Sequence, residues 1–151
     1  MALGYLFDTN ILLRLTRRGD SSYTVIRHAV LELLKQDASL YYCPQNIVEL
    51  WNVLTRPLDR NGFGLTNGET EEEIRLVEHD FTLLPDNEKI HPIWRRLVND
   101  YSVRGRQVHD ARLVAAMHAH GLTHLLTLNR TDFFRYREIT AVHPAEIGTS
   151  E

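Results

Sequence analysis

Short apolar runs alternate along this chain with longer stretches whose apolar residues recur every three or four positions. Tyr5-Leu6-Phe7 is a compact apolar run that ends at Asp8, and it reads as a buried strand. A short helix is expected from about residue 10 to 15. Val25, Ile26, Ala29, Val30, Leu33 and Leu34 fall at helical spacing within residues 22–36, with Ser21 or Ser22 as the cap. Residues 40–43 read as a second strand, and Pro44 precedes a helix that runs to about Thr55. Residues 56–68 hold Pro57, Asn61-Gly62, Gly64 and Asn67-Gly68, which is turn chemistry. Thr70 is expected to cap a helix whose first turn holds Glu71, Glu72 and Glu73. A short strand follows at 81–84, helices at 88–101 and 108–120, a stop at Gly121, and strands at 124–128 and 139–142. Strands alternating with helices predict an α/β fold with a parallel sheet covered on both faces. Such sheets place their sites beyond the carboxyl ends of the strands.

That placement singles out four acids. Asp8 stands where the first strand ends, although Asp8, Thr9 and Asn10 would each also cap the following helix. Glu49 is the only charged residue from Gln45 to Thr55. Ile47, Leu50, Trp51 and Leu54 form an apolar stripe around it, and Val48 and Val53 widen that surface. A helix so apolar is expected to be covered on most sides, and a carboxylate within it must be paired, protonated or bound to a cation. The bland alternative is an exposed Glu49 on a narrow polar strip with Asn46 and Asn52. Asp110 is in register with Leu113, Val114 and Met117, which points it along the core-facing stripe at a helix start. Asn129 and Asp132 follow an apolar strand and fall at another carboxyl end. Oxygen-rich side chains converging on one sheet edge repel one another without a cation. Mg²⁺ and Mn²⁺ prefer such ligands, and an ion there can activate water against a phosphodiester.

Composition narrows the reading. The chain has 151 residues, 43% hydrophobic and 25% charged, which suits one soluble domain spanning 1–151. No apolar run approaches the roughly 18–20 residues of a membrane span, and the first residues lack signal-peptide character, so an intracellular, cytoplasmic location is expected. Cys43 is the only cysteine, which excludes an internal disulfide and a cysteine-rich zinc site. Ending an apolar run, Cys43 reads as a small buried hydrophobe. The formal net charge of -3 counts mildly against nucleic acid, but bound cations restore charge locally. Lys35 and Lys89 are the only lysines, so the basic side chains are arginines, the better phosphate forks. His118 and His120 point to different helix faces and His124 lies beyond Gly121, which argues against zinc. His109 reads as an exposed helix-end residue. There is no Walker A sequence, no G-x-G-x-x-G and no G-x-S-x-G.

Four segments in order resemble the motifs of PIN domains. Asp8-Thr9-Asn10-Ile11-Leu12-Leu13 is similar to the first, and the run from Asn46 to Pro57 to the second, with Glu49 in the acidic position. The run from Val108 to Ala116 resembles the third and that from Leu125 to Phe133 the fourth. Length and loop pattern are most similar to the VapC-like toxins of bacterial toxin–antitoxin pairs. The resemblance implies a three-layer α/β/α domain with a central, mainly parallel sheet. It implies a Mg²⁺- or Mn²⁺-dependent endoribonuclease, dimeric and restrained by a small antitoxin. Asp8, Glu49 and Asp110 would then be metal ligands, with Thr9, Asn10 and Thr127 supporting them. Many PIN domains carry an acid where this chain has Asn129, so Asp132 is expected to supply the fourth carboxylate. Arg14, Arg56, Arg112 and Arg130 are candidates for holding RNA phosphates. A catalytically inactive PIN-type module that binds RNA or protein is the alternative. A phosphorylated Asp8 is disfavoured, because Thr9 stands where a second acid would be needed.

Overall fold

The computed structural model describes residues 3–148, so the ends of the expected 1–151 domain, residues 1–2 and 149–151, lie outside the described residues. Five strands form one all-parallel sheet in the order β3-β2-β1-β4-β5. β1 is Gly4–Phe7, β2 Ser39–Tyr42, β3 Thr82–Leu83, β4 His124–Leu126 and β5 Thr140–Val142. The helices are α1 (Thr9–Leu15), α2 (Tyr23–Lys35), α3 (Pro44–Thr55), α4 (Asn67–Asp80), α5 (Ile90–Asp100) and α6 (Gln107–Ala119). Three short 3₁₀ turns complete the order, including Arg130–Phe133 after β4.

Strand alternation divides the core. Tyr5 and Phe7 face one way, with Leu40, Tyr42 and Leu126, and pack against residues of α1 to α4. Leu6 and Leu125 face the other way, against α5 and α6. A central strand buried on both faces explains why Tyr5-Leu6-Phe7 is continuously apolar. The result is the expected three-layer α/β/α arrangement, with a sheet wholly rather than mainly parallel.

Several boundaries depart from expectation for physical reasons. Thr66, not Thr70, caps α4. Its hydroxyl accepts the Glu69 N–H at 3.1 Å and Glu69 reaches back to the Thr66 N–H at 3.0 Å. Thr70 is buried one turn inside, donating its hydroxyl to the Thr66 carbonyl. Ser22 occupies the cap position of α2 but makes no side-chain cap bond. Asp20 instead accepts the Ser22 N–H at 2.8 Å. β3 is only two residues long, an exposed sheet edge kept short. The expectation that α3 is covered on most sides is also corrected: Val48 is 69% exposed and Asn52 is exposed. Helices α1 and α4 cover one side of α3 and leave the other open.

The chain leaves β1 in both directions across the sheet, to β2 first and later to β4. The gap between β1 and β4 is therefore the topological switch point, where open α/β sheets form their crevice.

Candidate active site

Asp8 follows β1 directly at that switch point and is only 7% exposed. Its extended backbone makes it the N-cap of α1, and its Oδ1 accepts the Thr9 N–H at 2.8 Å. The Thr127 hydroxyl, just beyond β4, donates to the Asp8 Oδ2 at 2.8 Å. Thr127 Oγ1 itself accepts the Asn129 N–H at 3.0 Å, which leaves its proton directed at Asp8. Capping and the site position thus coincide in one residue.

Glu49 is half-buried on α3 and faces the same crevice from the side. Its Oε1 accepts the Thr9 hydroxyl at 2.7 Å, and its Oε2 accepts from Gln45 Nε2 at 3.3 Å. Asp110 lies in the first turn of α6, half-buried, above a helix packed on nearly all sides from Ala111 to Met117. Asp132 is half-buried in the 3₁₀ turn after β4.

The charges interact. Burial pushes the Asp8 carboxyl up to about 6. The Thr127 and Thr9 hydrogen bonds hold it back, while the charges of Glu49 and Asp132 raise it further. Burial also lifts Asp110, to about 7, followed by the charges of Asp8, Asp132 and Glu49, with Arg135 opposing. Four acids from four separate segments therefore sit within electrostatic reach of one another. Among the described residues, no three histidine, cysteine or acidic side chains are drawn together tightly enough to chelate an ion. The donor set is nevertheless oxygen-only, and its acids raise one another's carboxyls. That chemistry fits a hard divalent cation that keeps part of its water shell.

The remaining expected residues are distributed unevenly. Thr9 and Thr127 bond directly to the acids. Asn10 is half-buried and makes no side-chain hydrogen bond to them among the described residues, and Asn129 is exposed, contributing its backbone N–H. Arg112 donates to Gln45 Oε1 at 3.4 Å and pairs with Asp86 at 3.6 Å, which places it beside the crevice. Arg14 pairs with Asp20, Arg56 donates to the Asn61 carbonyl at 3.0 Å, and Arg130 pairs with Glu146 at 3.0 Å. Arg14 and Arg56 are engaged by the loops that follow them, and Arg130 by the 3₁₀ turn after β5. His109 is exposed, and its carbonyl accepts from Gln45 at 2.8 Å.

Three residues escape a reading of the sequence. Asn46, placed on a polar strip in one of the two readings of α3, is fully buried and bonds to Thr9. Gln45 joins α3 to α6, and Arg135 is the cation that moderates Asp110. A buried amide at the third position of a helix is a capping-box signal, but here the cap is Cys43, a residue type that rarely announces one. Cys43 itself is 1% exposed, and burial pushes its thiol up to about 11. It is expected to stay unmodified by a thiol reagent in the native protein and to react only after denaturation. Rapid native labelling would show that this strand end opens.

The fold is similar to solved toxin–antitoxin proteins. VapBC2 from Rickettsia felis, solved bound to a DNA fragment from its promoter, aligns with a TM-score of 0.72 at 15% identity, covering 93% of this chain and 98% of that one. VapBC-1 from nontypeable Haemophilus influenzae gives 0.68 at 19% identity, covering 94% and 98%. VapC20 from Mycobacterium tuberculosis, a sarcin–ricin-loop cleaving toxin, gives 0.58 at 16% identity, covering 80% and 86%. No curated protein matches the sequence. The PIN domain family, however, matches residues 5–139, a span that includes all four acids of the switch-point crevice, and the chain belongs to that family.

Proposed function

We propose that this protein is a divalent-metal-dependent endoribonuclease, the toxin of a toxin–antitoxin pair. The observation that carries the proposal is the placement of Asp8 at the switch point, joined through Thr9 to Glu49 and held by Thr127, with Asp110 and Asp132 within electrostatic reach. Asp8, Glu49 and Asp110, aided by Asp132, would hold a Mg²⁺ or Mn²⁺ ion. Such an ion supplies Lewis-acid chemistry, offsetting phosphodiester charge and making a water more acidic. The protein's own groups do the placing. Thr127 and the Thr9 N–H fix the Asp8 carboxylate, so that it needs little reorganisation during reaction. Arg112, 38% exposed at the side chain, is the arginine best placed to take a flanking phosphate. The test is cleavage of a mixed RNA pool by purified protein with Mg²⁺, with Mn²⁺ and with chelator. Cutting that chelator removes supports the proposal. RNA binding without cutting, on structured and unstructured substrates alike, would favour the inactive binding module.

Partners follow from the same reading. The fold neighbours include toxin–antitoxin complexes, and this chain carries a groove of about 1010 Å³ between α2 and α4. Leu31, Leu34 and Leu76 line it, each 47–60% exposed, with Arg17, Arg18 and Arg27 along it. Exposed leucines in a concave surface suit an amphipathic segment of an antitoxin. Replacing Leu34 and Leu76 together with arginine is expected to weaken capture of a co-expressed antitoxin, encoded by an adjacent short reading frame, by at least about tenfold. Undiminished capture would place the antitoxin elsewhere. The outward apolar face of α3, with Ile47, Val48 and Trp51, is offered to a second copy as a homodimer surface. Among the described residues no helix is long and apolar enough to cross a membrane. A toxin that meets RNA and an antitoxin works in the cytoplasm, and we place it there.

A further inference from the structure

Glu49 is held at both carboxylate oxygens by donors whose direction is dictated from behind. The Cys43 N–H can only donate, and it donates to Asn46 Oδ1 at 2.8 Å. The amide of Asn46 is therefore oriented, and its Nδ2 must be the group that donates to Thr9 Oγ1 at 3.0 Å. With its oxygen already accepting, Thr9 turns its one proton to Glu49 Oε1 at 2.7 Å. A parallel chain reaches the other oxygen. Arg112 can only donate, and it donates to Gln45 Oε1; the His109 carbonyl can only accept, and it accepts from Gln45 Nε2. That amide nitrogen also donates to Glu49 Oε2 at 3.3 Å. Amide orientation is ordinarily an assignment from the network. Here obligate donors and acceptors on the far side leave one choice for each amide.

We propose that Asn46 and Gln45 are positioning residues that present Glu49 to the metal. Asn46 acts through the Thr9 hydroxyl, and Gln45 bridges Glu49 to the segment carrying Asp110. The proposal rests on the metal-dependent reading above. A carboxylate oxygen has two acceptor sites. One donor on each oxygen fixes the plane of the Glu49 carboxylate and leaves each oxygen a site for an ion. Asn46 has a second, structural use as part of the cap of α3, so an ordinary truncation would confuse the two roles. Asn46→Asp separates them. In its ionised form, favoured by running the titration at pH 8, the aspartate still accepts the Cys43 N–H but cannot donate to Thr9. The Thr9 proton then turns toward position 46, and Glu49 Oε1 loses its donor.

The experiment is calorimetric titration of the full chain with Mn²⁺, on wild type, Asn46→Asp, Thr9→Val, the double variant and Gln45→Met, with melting temperatures of each metal-free protein alongside. Losses of supporting hydrogen bonds to metal ligands typically cost 10–100-fold in affinity. Asn46→Asp and Thr9→Val are each expected to shift the Mn²⁺ Kd by about tenfold, and Asn46→Asp to add less than about twofold in the Thr9→Val background. Gln45→Met is expected to weaken binding by about tenfold with little change in melting temperature. An added charge acting at a distance would instead shift the Kd equally in both backgrounds, and that result overturns the proposal for Asn46. Unchanged affinity in Gln45→Met overturns it for Gln45. Absence of Mn²⁺ binding by the wild type overturns the metal reading itself. Binding that Asp110→Asn abolishes, but that the network variants leave intact, overturns the positioning roles alone.

Discussion

Replacing Asp110 with asparagine is expected to lower metal-dependent RNA cleavage by at least about 100-fold, because the proposed function makes it an ion ligand. The same substitution is expected to make the metal-free protein more stable. Asp110 is half-buried among Asp8, Asp132 and Glu49, and its carboxyl lies at about 7, so ionising it at neutral pH works against folding. Asp8→Asn is expected to behave alike. Its Oδ1 equivalent can still cap the Thr9 N–H, and Thr127 Oγ1, which already accepts the Asn129 N–H, has a second lone pair for the new amide. A rise from 3.8 to about 6 corresponds to about 3 kcal/mol of stability recovered near neutral pH when the charge is removed. For a chain of this size that is a melting-temperature gain of roughly 6–12 °C. Activity lost together with stability would mean that the two aspartates are structural rather than functional. Activity lost while stability rises is the signature of a site assembled at the expense of the fold.

The wild type, stripped of metal, is expected to lose stability through these two groups as pH rises from about 4 to about 7. Both folded values lie above the ordinary 3.8, about 6 for Asp8 and about 7 for Asp110. Below 3.8 each carboxyl is protonated whether the chain is folded or not, and no penalty exists. Between 3.8 and the folded value the unfolded chain releases its proton first, so the folded state is progressively disfavoured; above the folded value the penalty is complete. Asp20 and Glu69 titrate in the opposite sense: backbone hydrogen bonds from Ser22 and Thr66 lower them, so their contribution is lost as pH falls. The informative quantity is therefore the difference between wild type and Asp8→Asn, measured by denaturant unfolding at several pH values with chelator present. The advantage of the variant is expected to grow from near zero at pH 4 to about 3 kcal/mol at pH 7.5, and saturating Mn²⁺ to reverse the order. A difference that does not change with pH would contradict the burial and crowding of Asp8.

Much of this arrangement is legible in the amino-acid sequence. Tyr5-Leu6-Phe7 is apolar without alternation because both faces of β1 are covered, and that alone marks a central parallel strand with Asp8 at its carboxyl end. Asp110 is legible through its register with Leu113, Val114 and Met117. Yet α6 is buried from Leu113 to Met117 without a gap, so the stripe is less distinct in the folded helix than in the spacing. Glu49 stands out as the lone charge on α3 for a partly mistaken reason. The helix is open on its Val48 side, and Glu49 is engaged because it faces the crevice rather than because the whole helix is enclosed.

What the sequence hides are contacts between segments far apart in number. Asn46 bonds to Thr9, and Gln45 reaches His109 and Arg112, pairings that no local period encodes. Asn46 resembles an exposed polar residue because Asn52, on the same helix, is exposed. The capping of α4 is obscured differently. Asn67-Gly68 looks like a turn, yet the Thr66–Glu69 box starts the helix there and carries Thr70 into the core. Arginine roles are the least legible, since the same side chain serves phosphate or a neighbouring acid, and only position separates Arg112 from Arg14, Arg56 and Arg130.

Ion binding among the four acids is decisive for the proposed activity, and Mn²⁺ can report its own location. In a heteronuclear NMR titration at pH 7.5, paramagnetic broadening is expected first at the amides of Asp8, Thr9, Glu49, Asp110 and Asp132, and is expected to vanish in Asp110→Asn. Broadening centred on His118 to His124, or none at millimolar Mn²⁺, would contradict a metal centre at the switch point.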